Sequence, residues 1–203
     1  MAATPIPGIT AEEYLAMDRA ASFKSEFVGG EVFAMSGGLY AHGVLISRFS
    51  RELEDALEDG PCVVSVTEVR LQVAAGETYV YPDLMVVCGE PSYAEGHRDL
   101  ITNPSVVVEV LPESTERWDR GGKFAQYRRV ASLREYVLVS QDAMRVEWFT
   151  RGEDGVWAYR EAVGPEGIVR LEGLGVTLEL GADLPESGWG YRVGGVSIGT
   201  ALA

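Results

Sequence analysis

Cysteine and histidine are scarce: the 203-residue chain has two of each. Cys62 and Cys88 each lie within an apolar stretch, and neither a C-x-x-C nor an H-x-x-x-H spacing occurs. That excludes a structural zinc site and leaves both cysteines expected as inert core residues. Any metal would be held by oxygen, which points to Mg²⁺, Mn²⁺ or Ca²⁺. Long apolar runs are also missing. The longest, around Val106 to Leu111, is interrupted by Glu109 and falls far short of the roughly 18 residues of a membrane span. The N-terminus has no basic flank and carries Glu12, Glu13 and Asp18, so no signal peptide is expected and the chain is read as cytoplasmic. A chain of this length buries about 70% of its extended surface and needs no staple to hold a core.

Positive charge is the third shortage. Seventeen basic residues stand against 31 acidic ones, a net charge of −14. This excludes a protein that coats nucleic acid non-specifically, but not a local basic groove. Between Arg117 and Arg134 lie Arg117, Arg120, Lys123, Arg128, Arg129 and Arg134, opposed only by Asp119.

The residues present define an order of elements. Thr10-Ala-Glu-Glu13 reads as a capping box that opens a short helix to about Asp18. Lys24–Val28 and Glu31–Met35 alternate in polarity around Gly29-Gly30, a hairpin signal with a two-residue turn. Leu45, Phe49, Leu53, Ala56 and Leu57 recur at helical spacing within 40–58. Strands are expected at 62–66, 68–73, 81–88 and 105–111, the last two apolar enough to be covered on both faces. A helix from about Glu116 to Val130, capped by Thr115, leads to a strand at 135–140. Short strands with Gly-rich turns follow from Met144 to Leu180. Together these predict an α/β (α+β) domain with a mixed sheet, and a Gly-rich tail over residues 181–203.

Two motifs fail on inspection. Gly195-Val-Ser-Ile-Gly199 has the spacing of a nucleophile elbow, but neither a helix nor a histidine can follow it. Gly121-Gly122-Lys123-Phe124 resembles the end of a phosphate-binding loop, yet Arg117 replaces the first glycine and Phe124 the Mg²⁺-binding hydroxyl.

One constellation survives. Asp83 opens one predicted central strand, and Glu109 sits inside another, among Val106, Val107, Val108, Val110 and Leu111. A carboxylate is costly to bury unpaired. Either Glu109 forms a buried ion pair with an arginine or faces solvent, or Asp83 and Glu109 face one divalent cation. In the latter case a backbone carbonyl such as that of Val110, and water, would complete a Mg²⁺ site. Lys123 and Tyr127 share a helix face at i and i+4. Asp119 is four residues before Lys123, which suggests either a surface pair or a lysine sent toward the metal. Glu31 and Glu26 on the hairpin are accessory ligand candidates, with Glu31 preferred. Glu68 is a weaker one. His42 is a candidate base or phosphate contact, and His97 is expected to face solvent. Trp118 and Tyr127 could stack on bases, though packing against the sheet is the plainer expectation.

Several ordered stretches resemble a known family: Lys24–Glu31 with Met35-Ser36 and His42; Tyr81-Pro-Asp83 with Val86-Val-Cys88; Val108-Glu-Val-Leu111 with Ser114-Thr-Glu116; Asp119–Lys123 with Tyr127-Arg128; and Ser132–Val139. The set, over roughly residues 10–165, is similar to the bacterial Uma-two family of restriction-endonuclease type, in the PD-(D/E)XK nuclease superfamily. The resemblance implies an α-β-β-β-α-β core with an N-terminal hairpin and a β-rich C-terminal extension, over residues 1–180 as a single domain. It also implies Asp83, Glu109 and Lys123 as catalytic residues. The superfamily's lysine position falls at Leu111, so its charge is carried by Lys123 on the following helix. The family's usual Leu-Ser-Pro-Ser-Thr is here Leu111-Pro-Glu-Ser-Thr115, which changes the turn.

The function expected on these grounds is a Mg²⁺- or Mn²⁺-dependent DNA endonuclease. Arg120, Arg128 and Arg129 would contact DNA, with Glu31, His42 and Tyr127 as accessory residues. It would act as a homodimer, joined through strands of 144–180. The alternatives are an inactive binding or assembly module on the same scaffold, favoured by the net charge and Leu111, and a hydrolase of non-nucleic phosphate esters.

Overall fold

The computed structural model describes residues 6–35, 39–66, 68–111 and 116–181. The Gly-rich tail, the G-x-S-x-G stretch, Thr115 and the Pro112 turn lie outside the described residues. In chain order the elements are β1 (Ile6–Pro7), α1 (Ala11–Ala20), β2 (Ser25–Val28), β3 (Glu31–Ala34), α2 (Tyr40–Leu57), β4 (Cys62–Val66), β5 (Arg70–Val73), β6 (Thr78–Val80), β7 (Leu84–Cys88), β8 (Leu100–Ile101) and β9 (Val106–Leu111). There follow α3 (Glu116–Trp118), a π-helical turn (Asp119–Lys123), α4 (Phe124–Tyr127), β10 (Glu135–Ser140), β11 (Arg145–Arg151), β12 (Trp157–Val163), β13 (Ile168–Leu171) and β14 (Val176–Glu179). No helix among the described residues is long and apolar enough to cross a membrane.

The expected local signals hold. Thr10 and Glu13 cap α1 reciprocally. Gly29 and Gly30 both take positive φ, +58° and +91°, the conformation a two-residue hairpin turn needs between right-twisted strands. The helix expected to reach Val130 ends at Tyr127. There Arg129 N–H turns back to Gln126 and Val130 N–H to Tyr127, tightened bonds that close the last turn.

Two six-stranded sheets form, ordered β1-β3-β2-β6-β5-β8 and β12-β11-β10-β9-β7-β4, with a separate β13-β14 pair. In the second sheet β9 and β10 run parallel, and a parallel pair needs a crossover. The α3–α4 segment lies within that connection. The α2, β4, β7, β9, α3–α4 and β10 succession is the expected α-β-β-β-α-β core. β5, β6 and β8 depart from it into the other sheet. The mixed sheets bear out the α/β fold class.

Strand alternation sorts β9 into two faces. Val106, Val108 and Val110 pack with Leu45 and Leu53 of α2 and with Val137 and Val139 of β10. Val107 and Leu111 face the other way, toward Leu71 and Val80 of the first sheet and Tyr127. Each such buried side chain contributes about 1.5–3 kcal/mol. Glu109 shares the parity of Val107 and Leu111, so it is carried into the layer between the sheets.

One expectation is corrected. Cys62 and Cys88 are not inert core thiols; they form a disulfide. Antiparallel pairing of β4 with β7 sets them directly opposite each other, and only the register reveals that.

Candidate functional site

β7 and β9 pair with Leu84 opposite Val108. One step further along the same register, Asp83 meets Glu109. Asp83 Oδ2 accepts a bond from Val110 N–H at 2.8 Å, and Oδ1 lies 3.2 Å from His42 Nε2 on α2. Val110 thus enters the site through its amide. From the crossover, Lys123 Nζ reaches Glu109 Oε1 and Glu26 Oε1, each at 3.1 Å, and Asp119 Oδ1 at 3.5 Å. Tyr127 OH donates to Glu109 Oε1 at 2.6 Å. Tyr81 N–H donates to Glu26 Oε1 at 3.3 Å.

Asp83, Glu109, Lys123, His42 and Tyr127 are therefore brought together. All but His42 and Tyr127 are charged groups below one-tenth exposure. Asp119 and Lys123 are buried, so theirs is not a surface pair. Glu26 occupies the position for which Glu31 was preferred; Glu31 is exposed at the turn end of β3. Nothing in the hairpin's own residues tells Glu26 from Glu31; the sheet order does, because β2 is paired on both sides. Glu68 is exposed and paired with Lys24 at 2.7 Å. His97, expected in solvent, is half-buried and bonded to Arg19. Arg120 is bonded to Glu116 and paired with Glu147, Arg129 pairs with Glu77, and exposed Arg128 lies over the Phe124 ring.

The electrostatics are lopsided. Four carboxylates, of Glu26, Asp83, Glu109 and Asp119, share one ammonium and one imidazole. Burial pushes the Glu109 carboxyl well above its usual range, and its acidic neighbours add to this while Lys123 opposes it. Burial works against the charge on Lys123, but Glu109, Glu26 and Asp119 outweigh it and hold the ammonium. Burial likewise opposes protonation of His42, and the bond to Asp83 overcomes it, raising the imidazole. Tyr127 is raised by burial and by Glu109, so it stays a phenol donor.

These donors are hard oxygens carrying surplus negative charge, which fits a divalent cation of the Mg²⁺ or Mn²⁺ type. Among the described residues no three His, Cys, Asp or Glu side chains converge as a ready ligand set. Asp83 and Glu109 would hold the ion as a pair, with water completing its shell, as is usual for Mg²⁺.

Sequence comparison places this architecture. The chain belongs to the Uma2 family, described as "Putative restriction endonuclease", whose model matches residues 11–183. Two uncharacterized proteins of Synechocystis sp. are 36% and 35% identical to it. The matches cover 77% and 75% of this chain, and 88% and 80% of those proteins. In structure it is similar to a protein from Anabaena variabilis titled "a putative nuclease belonging to DUF820", with a TM-score of 0.68 at 14% identity. That likeness covers 82% of this chain and 91% of the other. The fold is restriction-endonuclease-like.

Proposed function

We propose that the chain is a DNA endonuclease working with Mg²⁺ or Mn²⁺ held by Asp83 and Glu109. The observation that carries this reading is the reach of Lys123 from the crossover to Glu109, 3.1 Å away. It supplies beside the two strands the positive charge that Leu111 lacks. An ion held by Asp83 and Glu109 would supply Lewis-acid chemistry, lowering the pKa of a water and stabilising charge on the phosphate. The protein's own groups do the positioning. Tyr127 fixes one oxygen of Glu109, while His42 and the Val110 amide fix the two oxygens of Asp83. Lys123 keeps its proton and meets the negative charge that grows on the phosphodiester. Cutting both strands takes two such sites, so the working unit is a homodimer.

Plasmid cleavage with Mg²⁺ and Mn²⁺ tests the reading. Lys123→Met should lower turnover by on the order of 10²–10³-fold while DNA affinity changes little, because the charge matters most in the transition state. A variant that cleaves at the parent rate would falsify the role given to Lys123. One observation favours a second reading, an inactive scaffold that binds or assembles. Lys123 already has three carboxylate partners, as a purely structural lysine would. Calorimetry with Mn²⁺ separates the two: the endonuclease binds it, and Asp83→Asn with Glu109→Gln abolishes binding without unfolding the chain.

A further inference from the structure

We propose that Trp118 and Phe33 form a platform beside the carboxylate cluster on which an unstacked nucleobase of the DNA lies. The inference rests on the endonuclease reading and adds how the strand is held. Trp118 immediately precedes Asp119, at the start of the turn that carries Lys123. Its ring stacks on Phe33 with centroids 6.1 Å apart and planes 28° from parallel. Phe33 sits directly across from Glu26 in the β2–β3 register. Residues so paired project from the same face of a sheet, which puts Phe33 next to a carboxylate bound to Lys123. The two rings therefore flank the site from two different elements.

The ring is seated against the backbone. A Cβ on Gly122 would fall 2.0 Å from two atoms of the Trp118 indole, so glycine is needed there for the ring to lie flat on the turn. The glycine pair that mimics a phosphate-binding loop has this packing role at its second member. Burial is incomplete: Trp118 remains 38% exposed, unlike Trp148 at 3%. A tryptophan held only as core would be covered. This one packs against Gly122 and Phe33 and stays partly exposed, with exposed Arg117 as its neighbour in sequence. A nucleobase fits such a surface because every base has a π-face, and one stacked base is worth about 1–3 kcal/mol.

The test uses the full chain without added metal, titrated with an eight-nucleotide thymidine oligomer and with an abasic oligomer of equal length. The thymidine oligomer should quench tryptophan emission and bind more tightly than the abasic one. Trp118→Ala should weaken thymidine-oligomer binding roughly 5- to 150-fold and leave abasic binding unchanged, with Trp118→Phe restoring part of the loss. Gly122→Ala keeps the indole but forces it off the turn, so it should show the same defect. Circular dichroism and thermal melting check that each variant is folded. Should Trp118→Ala prove unfolded, Gly122→Ala and Trp118→Phe decide. Equal affinity for the two oligomers, no binding of either, or a folded Gly122→Ala that binds as the parent does, each overturns the platform. Base-dependent binding without any cleavage sinks the endonuclease reading alone, and cleavage with base-independent binding sinks the platform alone.

Discussion

Two buried clusters of charge touch the first sheet, one through Arg70 of β5 and the other through Glu26 of β2, and they are built on opposite principles. Around Asp18, every charge is matched. Its Oδ2 takes Arg70 at 2.6 and 2.9 Å and Tyr81 OH at 2.7 Å, and its Oδ1 takes Ser25 N–H and Oγ. Asp99 binds Arg70 and Arg19 in turn. Two acids meet two arginines. Burial works against the Asp18 charge, but its donors prevail and its carboxyl is lowered. Glu109 is raised, first by its burial and then by its acidic neighbours, which a single ammonium does not offset. A cluster that closes on itself is architecture. One left with surplus negative charge is the kind that the proposed cation would neutralise.

Breaking the closed cluster should have the largest effect. Arg70→Met strands Asp18 and should cost about 3 to 5 kcal/mol, read from urea unfolding. Glu109→Gln removes one of the competing acids and should leave the midpoint unchanged or raise it. Equal losses in both variants would erase the distinction between the clusters.

A third buried acid sharpens it. Glu135 is fully buried, and Thr150 Oγ1 donates to its carboxyl at 3.4 Å. Burial pushes its carboxyl up from 4.5 to about 7. The folded state then holds a proton that the unfolded chain has released, so this group's stability is full below about pH 4.5 and is lost as pH rises toward 7. The span amounts to on the order of 3 kcal/mol. Unfolding midpoints across that range should fall for the parent protein and lose this slope in Glu135→Gln.

Cation linkage should come next in size. Mn²⁺ at a hundred times its dissociation constant should stabilise the parent by about 2.7 kcal/mol and leave Asp83→Asn with Glu109→Gln unmoved in the same melts. The smallest effect should come from Arg128→Ala with Arg129→Ala. DNA binding should weaken and its salt dependence flatten, but only modestly, since Arg129 is already engaged with Glu77.

Much of this was legible in the residues. A glutamate among valines is costly wherever it lies, so Glu109 drew notice without any fold, and four-residue spacing joined Lys123 to Tyr127. Asp83 followed from its place at the mouth of an apolar strand. What stayed hidden depends on pairing between distant segments. Glu26 and Glu31 look alike in a hairpin, and only the sheet order makes β2 interior. β6 went unread because Thr78 to Val80 runs straight into the strand expected from Tyr81, whereas Tyr81, Pro82 and Asp83 connect two strands of different sheets, Pro82 having no amide N–H for a ladder. The disulfide needed the β4–β7 register. The π-helical turn left a trace in Gly121-Gly122, but no pattern of apolar residues could announce it.

That turn sets the phase of the crossover. In an α-helix each residue advances about 100°, so side chains four apart drift by about 40°, and eight apart by about 80°. Asp119, Lys123 and Tyr127 would fan around such a helix. A π-turn closes over one more residue, so its wider winding offsets the drift where the three must converge. Excising one residue at Gly121 would restore regular winding and change both the rotation and the rise of everything beyond it. Lys123 and Tyr127 would leave Glu109 together, though no side chain at the site had been altered.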